Sequence, residues 1–287
     1  MNTLQNLNSQ LATQKPLAGW LCASDVDGTL VVDIIAKLPK VNVSAIERFR
    51  SLGGRFTIAS GRPAPSVAKL MKRLGLEETP AVVLNGAGVY DCATNKMLRY
   101  NPIPEEGVRF ALELLRKFPK VQFQAHCESS THIWNPGFLS YVVSSKDLLP
   151  RTFHRSLNDL PREGWGKAIF FGKKRDIRQL KDYCKSLTDA PVYFMESSSV
   201  TFEILAPQTH KGTALLELAD MLGIDKTHTA AIGNYDNDTG MIETAAVTAA
   251  MGNAPKSFQA KAQHVVRREK KGGVAEFLGI LEKKIAF

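Results

Sequence analysis

Cysteine is scarce in this chain and nowhere paired. Cys22, Cys92, Cys127 and Cys184 are its only cysteines, and none stands in a Cys-x-x-Cys spacing. That argues against a structural zinc site or a disulfide framework and for reduced thiols in a cytoplasmic protein. The six histidines show no His-x-x-x-His spacing. No apolar run reaches the length of a membrane span, and the N-terminus lacks the apolar segment of a secretion signal, so no membrane association is expected. A Walker-type phosphate loop, a dinucleotide-binding glycine fingerprint and a Ser-His-Asp arrangement are missing as well, which removes the commonest nucleotide and acyl-transfer chemistries. Internal repeats and low-complexity tracts are absent.

What remains is a composition of ordinary globular type, with 44% hydrophobic and 23% charged residues. Its 287 residues are comfortable for two domains. Residues 1–16 are polar and rich in Asn and Gln, as in a loosely attached tail. The formal net charge is +9. Lys and Arg are spread through helical segments and form no nucleic-acid motif, so nucleic acid is not an expected partner; the charge suits a small anionic metabolite.

Hydrophobic patterning divides the chain into three stretches. From residue 17 to 102, strands alternate with amphipathic helices: an apolar run at 18–23, a helix opened by a capping box at Ser44-x-x-Glu47, a strand at 55–59, a helix with Val67, Leu70, Met71 and Leu74 on one face, and a strand at 81–84. Residues 103–205 change character, with one amphipathic helix followed by aromatic, β-rich segments around 121–124, 132–134, 168–171 and 192–195. Residues 206–287 return to the first pattern, with strands at 229–232, 247–251 and 265–266. The expected fold is α/β, a Rossmann-like parallel sheet interrupted by an inserted α+β domain.

The chemistry-bearing residues cluster where strands end. The first apolar run empties into Ser24-Asp25-Val26-Asp27-Gly28-Thr29-Leu30. Open α/β sheets place their sites at such carboxyl ends. Alternate residues on an extended strand point the same way, so Asp25 and Asp27 can converge, and two carboxylates that close call for a cation or a shared proton. Taken alone the segment also suits a solvated turn, Ser60 a helix cap, Arg62 a surface charge, and Lys211-Gly212 an ordinary helix start.

In combination the motifs are more specific. Asp-Val-Asp-Gly-Thr at 25–29, Ala-Ser-Gly-Arg at 59–62, Asn-Gly-Ala at 85–87, Lys-Gly at 211–212 and Gly-Asn-Tyr-Asp-Asn-Asp at 233–238 together resemble the haloacid dehalogenase (HAD) superfamily of phosphatases. With Met251-Gly252-Asn253-Ala254-Pro255 and Gly272-Gly273-Val274-Ala275, they resemble its Cof-type, subfamily IIB branch, from about Trp20 to the C-terminus.

The resemblance implies a hydrolase that uses Mg²⁺ and a C2-type cap over residues 103–205. Asp25 would be the nucleophile, carrying an aspartyl-phosphate. Asp27 would be the general acid and base and would reach the metal through its carbonyl, and Lys211 would neutralise Asp25 and phosphate charge. Gly28 and Thr29 would approach the phosphate, Ser60 would donate to it, and Gly61, Arg62, Asn85, Gly86 and Asn237 would line the substrate side. The metal ligands would be Asp25, Asp27, Asn234 and Asp238. Asn234 departs from the family pattern, which has Asp there: an amide oxygen still suits Mg²⁺, with one negative charge fewer.

The substrate class implied is a small phosphorylated metabolite, foremost a sugar phosphate, or a phosphorylated cofactor such as a flavin or pyridoxal phosphate. Two alternatives stay open: a catalytically weakened phosphometabolite-binding regulator, and a phosphomutase or phosphotransferase on the same fold. Monomer and homodimer are both compatible. In the insert, His132-Ile133-Trp134-Asn135-Pro136-Gly137 resembles a specificity loop, although Trp134 equally suits a core position.

Overall fold

A computed structural model of the chain describes residues 15–32 and 37–285. The polar segment expected over residues 1–16 therefore lies, but for Lys15 and Pro16, outside the described residues. Two compact units are present. One gathers residues up to Ile58, Leu216–Asn234 and residues from Met241 onward, and the other Ala59–Leu215 with Tyr235–Gly240.

The chain enters with β1 (Leu21–Ser24), buried at every residue, followed by α1 (Lys40–Ser51) and β2 (Arg55–Ile58). α1 starts a turn before the capping box read at Ser44, which lies inside the helix. Pro39 is the N-cap residue. Asn42, fully buried, donates from Nδ2 to the Leu30 carbonyl at 3.3 Å and accepts from the Ala275 amide at 3.1 Å. These tertiary hydrogen bonds begin the helix where local sequence does not signal it.

Next come α2 (Ala64–Leu74), β3 (Ala81–Val83), β4 (Gly88–Asp91) and β5 (Lys96–Tyr100). β3, β4 and β5 form an antiparallel three-stranded sheet, and its β4–β5 hairpin is not foreseen in the sequence.

The inserted segment runs through α3 (Glu105–Lys117), β6 (Gln122–His126), β7 (Thr131–Trp134), α4 (Phe138–Lys146), β8 (Arg151–His154), β9 (Lys167–Phe171), α5 (Lys174–Lys185), β10 (Tyr193–Ser198) and β11 (Thr201–Leu205). Its strands make one mixed sheet, β10-β11-β9-β6-β7-β8, antiparallel except for the β7–β8 pair. One face of this sheet presents Phe123, Phe170 and Phe202 to Val108, Leu112 and Leu115 of α3 and to Ile177 and Leu180 of α5. Each fully buried side chain of this size contributes about 1.5–3 kcal/mol relative to exposure, which makes this face the core of the insert. Trp134 packs at its margin, so the core reading of that residue holds.

The chain then passes through α6 (Lys211–Met221), β12 (Thr229–Gly233), α7 (Thr239–Thr244), β13 (Val247–Met251), α8 (Lys256–Gln259), β14 (His264–Val266) and α9 (Gly273–Ile285), which packs on α1. β14-β13-β12-β1-β2 is a five-stranded sheet, parallel throughout. A Rossmann-like parallel sheet with an inserted mixed-sheet cap domain is the expected fold. Among the described residues no helix is long and apolar enough to cross a membrane.

Candidate active site

The first set of site residues grows out of the central strand. β1 pairs with β12 in parallel, Ser24 opposite Ile232, and the Asp25 amide extends the pairing to the Ile232 carbonyl at 3.0 Å. β1 ends at Ser24, so the alternation that would aim Asp25 and Asp27 one way stops before Asp25. Instead the chain curls: the amides of Thr29 and Val31 return to the Val26 carbonyl, and that of Leu30 to the Asp25 carbonyl. The curl leaves Asp25 buried, at 6% exposure, and Asp27 exposed.

Gly28 makes this turn possible. Its φ is +78°, and a Cβ there would lie 2.4 Å from Nδ2 of Asn234. Any other residue would be strained and would displace Asn234. Asn253 donates from Nδ2 to the Gly28 carbonyl at 2.8 Å and accepts from the Glu269 amide at 3.2 Å, fixing the loop from its far side. Thr29 is fully buried, and its hydroxyl has no hydrogen-bond partner. A buried hydroxyl left this way is costly unless something fills the space beside it.

The second set lies in the other unit. The Ser60 amide donates to the Val82 carbonyl at 2.9 Å, the Ser60 carbonyl accepts from the Asn85 amide at 2.9 Å, and the Ser60 hydroxyl accepts from the Arg62 amide at 3.2 Å. Leu84 and Asn85 both take left-handed φ values, 52° and 55°, which fold the Asn85 loop back on the Ser60 loop. A Cβ on Gly86 would lie 2.3 Å from the His210 carbonyl oxygen, so the Asn85 loop and the start of α6 meet only because this residue is glycine. His210 accepts at Nδ1 from the amides of Gly212 and Thr213, capping that helix.

Asn85 donates to Glu203 Oε2 at 2.8 Å and accepts from Asn237 at 3.3 Å. Lys167 lies 3.2 Å from the same carboxylate oxygen and donates to the Gly61 carbonyl at 2.8 Å. The sequence reading missed Lys167 and Glu203. Only the alternation along β9 and β11, which makes both of them charged residues in otherwise apolar strands, offered a signal. Lys211 and Asp238 are both fully buried and joined at 2.6 Å. The second oxygen of Asp238 accepts from the Tyr235 amide at 3.2 Å.

The structure thus groups Asp25, Gly28, Thr29 and Asn234 in one unit, and Ser60, Gly61, Asn85, Gly86 and Asn237 with the Lys211–Asp238 pair in the other. Lys211, expected to neutralise Asp25 and phosphate charge, forms an ion pair with Asp238. Among the described residues no three His, Cys, Asp or Glu side chains are grouped as a metal site. The first unit supplies the Asp25 carboxylate and the Asn234 amide oxygen, hard oxygen ligands of the kind Mg²⁺ takes. Together with the orphaned Thr29 hydroxyl, they fit a magnesium-supported phosphoryl site.

Such a constellation on a Rossmann-like core defines a class of phosphoryl-transfer enzyme, and comparison with known proteins places the chain in it. Residues 22–278 match the haloacid dehalogenase-like hydrolase family, and the chain belongs to that family as a HAD-type phosphohydrolase. It is 36% identical over 294 residues to the phosphatase YwpJ of Bacillus subtilis, covering 90% of this chain and 98% of that protein. It is 25% identical over 263 residues to the pyridoxal phosphate phosphatase YbhA of Escherichia coli, covering 89% and 96%. In fold it is similar to the solved structure of a HAD subclass IIB sugar phosphatase, with a TM-score of 0.78 and 19% identity over 93% of this chain and 99% of that one.

Proposed function

We propose that this protein is a Mg²⁺-dependent hydrolase of small phosphomonoesters, foremost sugar phosphates. The observation that carries the reading is the buried Asp25 at the end of β1, beside a glycine turn and an unpartnered buried Thr29 hydroxyl. Asp25 is the nucleophile. Its carboxylate oxygen forms a bond to phosphorus as the ester P–O bond breaks, and Asp27 gives its proton to the leaving alkoxide. Water then attacks the aspartyl-phosphate, Asp27 takes a proton from it, and inorganic phosphate departs. Thr29 and Ser60 donate to phosphate oxygens.

Asp25, the Asp27 carbonyl, Asn234 and Asp238 would hold the metal. When bound, it supplies the positive charge that offsets repulsion between Asp25 and the phosphate. The inserted domain, over residues 103–205, selects the leaving group and excludes water during transfer. The names of the relatives support a panel that includes sugar phosphates and pyridoxal phosphate.

Phosphate release from such a panel, across a Mg²⁺ titration, tests the proposal. Turnover is expected to require Mg²⁺ and to fall by about a thousandfold or more in Asp25→Asn, with the fold intact by circular dichroism. Asn234 favours one second reading, a regulator that binds phosphometabolites without turning them over. Binding with no phosphate release at saturating Mg²⁺ would overturn the hydrolase in favour of that regulator.

A further inference from the structure

The loops of Ser60, Asn85 and Asn237 converge on one side-chain amide. A Cβ on Gly61 would lie 2.9 Å from Oδ1 and 3.0 Å from Nδ2 of Asn85, so this amide packs directly on the Gly61 backbone. Leu84 and Asn85 hold consecutive left-handed φ values. Residues other than glycine rarely take such backbone, and it persists only where the surroundings impose it. Part of that hold is main chain: the Leu84 amide donates to the Arg62 carbonyl at 3.0 Å, and the Asn85 amide to that of Ser60. The rest comes from Lys167 and Glu203, two buried charged residues on β9 and β11.

An asparagine amide can be turned either way round, which exchanges donor for acceptor. The network fixes each one in turn. Lys167 carries donors only; its Nζ donates to the Gly61 carbonyl and lies 3.2 Å from Glu203 Oε2, so that position at residue 203 requires an oxygen. The same oxygen accepts from Asn85 Nδ2 at 2.8 Å. Oδ1 of Asn85 is thereby turned to Asn237, whose Nδ2 donates to it at 3.3 Å. A charge on β9 thus sets the orientation of two loop amides that lie far from it in sequence.

Stability alone does not account for this pair. The attraction between two buried charges is largely offset by their desolvation, and apolar residues of similar volume often serve a fold as well or better. What an apolar pair does not supply is an oxygen aimed at Asn85 and a donor aimed at Gly61. Misplacing a reacting group by about 1 Å can cost on the order of a hundredfold in rate, so a device that fixes these loops bears directly on phosphoryl transfer.

We propose that Lys167 and Glu203 are positioning residues for phosphoryl transfer. Lys167 holds an oxygen of Glu203, that oxygen orients the Asn85 amide, and Asn85 in turn orients Asn237 and seats the Ser60–Gly61 loop. The assignment rests on the phosphomonoesterase reading above, and neither Lys167 nor Glu203 touches substrate in it.

Two variants give opposite rank orders for positioning and for structural support. Glu203→Gln leaves Lys167 without its counter-charge but keeps an oxygen for Asn85, which Lys167 holds in place. The double variant Lys167→Met/Glu203→Met keeps the volume and leaves no unpaired charge, but it removes the oxygen. The first readout is kcat/KM for the preferred phosphomonoester of the panel, per folded protein by circular dichroism. Glu203→Gln is expected within about threefold of the wild-type protein, and the double variant about thirtyfold or more below it. The reverse order, or equal values, overturns the assignment. The NMR signals of the Asn85 side-chain amide protons, identified by their loss in Asn85→Ser, give a second readout that needs no turnover. They are expected to be kept in Glu203→Gln and, in the double variant, to shift and to exchange with water at least about tenfold faster. If the double variant does not fold, Glu203→Met replaces it in both measurements. If the wild-type protein releases phosphate from no ester of the panel, the phosphomonoesterase reading fails, and the amide signals decide the positioning alone. Signals that change alike in both variants, or in neither, overturn it.

Discussion

Asn234 and Asp147 each carry a prediction at the level of a single group. Asn234 follows β12 in the loop beside Gly28, where the family pattern has a carboxylate. Asn234→Asp is expected to lower the Mg²⁺ concentration for half-maximal turnover by about tenfold, because ligand charge tunes affinity for hard cations. An unchanged Mg²⁺ titration would remove Asn234 from the metal's ligands. Asp147 is buried, and its pKa is raised from 3.8 to about 6. Between about pH 4 and 6 the folded state therefore holds a proton that the unfolded state has lost, and this group's stabilising contribution falls as pH rises through that window. The full shift corresponds to about 3 kcal/mol. His126, whose pKa burial and Lys167 lower, acts in the opposite direction on the acid side, because the unfolded chain protonates it first. His126 is common to both proteins, so comparison with Asp147→Asn isolates the carboxyl. Urea denaturation at pH 4 and pH 7 should show the variant gaining on the wild-type protein as pH rises, and parallel profiles would refute the Asp147 contribution.

The two faces of β6 illustrate what patterning conveys about an element and what it does not. Phe123 was legible as core from the aromatic, β-rich run, and it is fully buried among Trp165 and Phe170. α4 was not legible. Its segment, Phe138-Leu139-Ser140-Tyr141-Val142-Val143, has the apolar content of a core helix, yet its serines face inward. Hydrophobicity alone cannot reveal that a helix covers buried polar groups, because the polarity resides on the partner strand. Phe123→Ala is accordingly expected to cost about 3–5 kcal/mol of stability. Phe138→Ser, at a position 79% exposed, should change stability by less than about 0.5 kcal/mol. A large loss at Phe138 would mean that α4 lies against another surface. The Ser44 capping box is a second case: a local signal was present, but Asn42 and its long-range partners Leu30 and Ala275 set the helix start.

For the molecule as a whole, the net charge of +9 bears on encounter with a phosphorylated substrate. Exposed charge is screened over about 8–10 Å at physiological ionic strength. Raising the salt from about 20 to 300 mM should therefore lower kcat/KM for a dianionic phosphomonoester by roughly three- to tenfold, with kcat much less affected. A kcat/KM independent of salt would show that the basic residues play no part in capture.

The sequence by itself determined the alternation of strand and helix, the interruption by an aromatic, β-rich insert, and the order of Asp25, Ser60, Lys211 and Asp238 along the chain. These features are written in local periodicity and in residue types at strand ends. Only the tertiary structure decided that Asp25 is buried while Asp27 is exposed, that Lys211 pairs with Asp238, and that Lys167 and Glu203 reach the loops of Gly61 and Asn85. The same holds for the unpartnered buried atoms of Gln124, His126, Thr131 and Asp147. Each of these depends on contacts between residues far apart in sequence, and burial, pairing and desolvation exist only once the chain has brought them together.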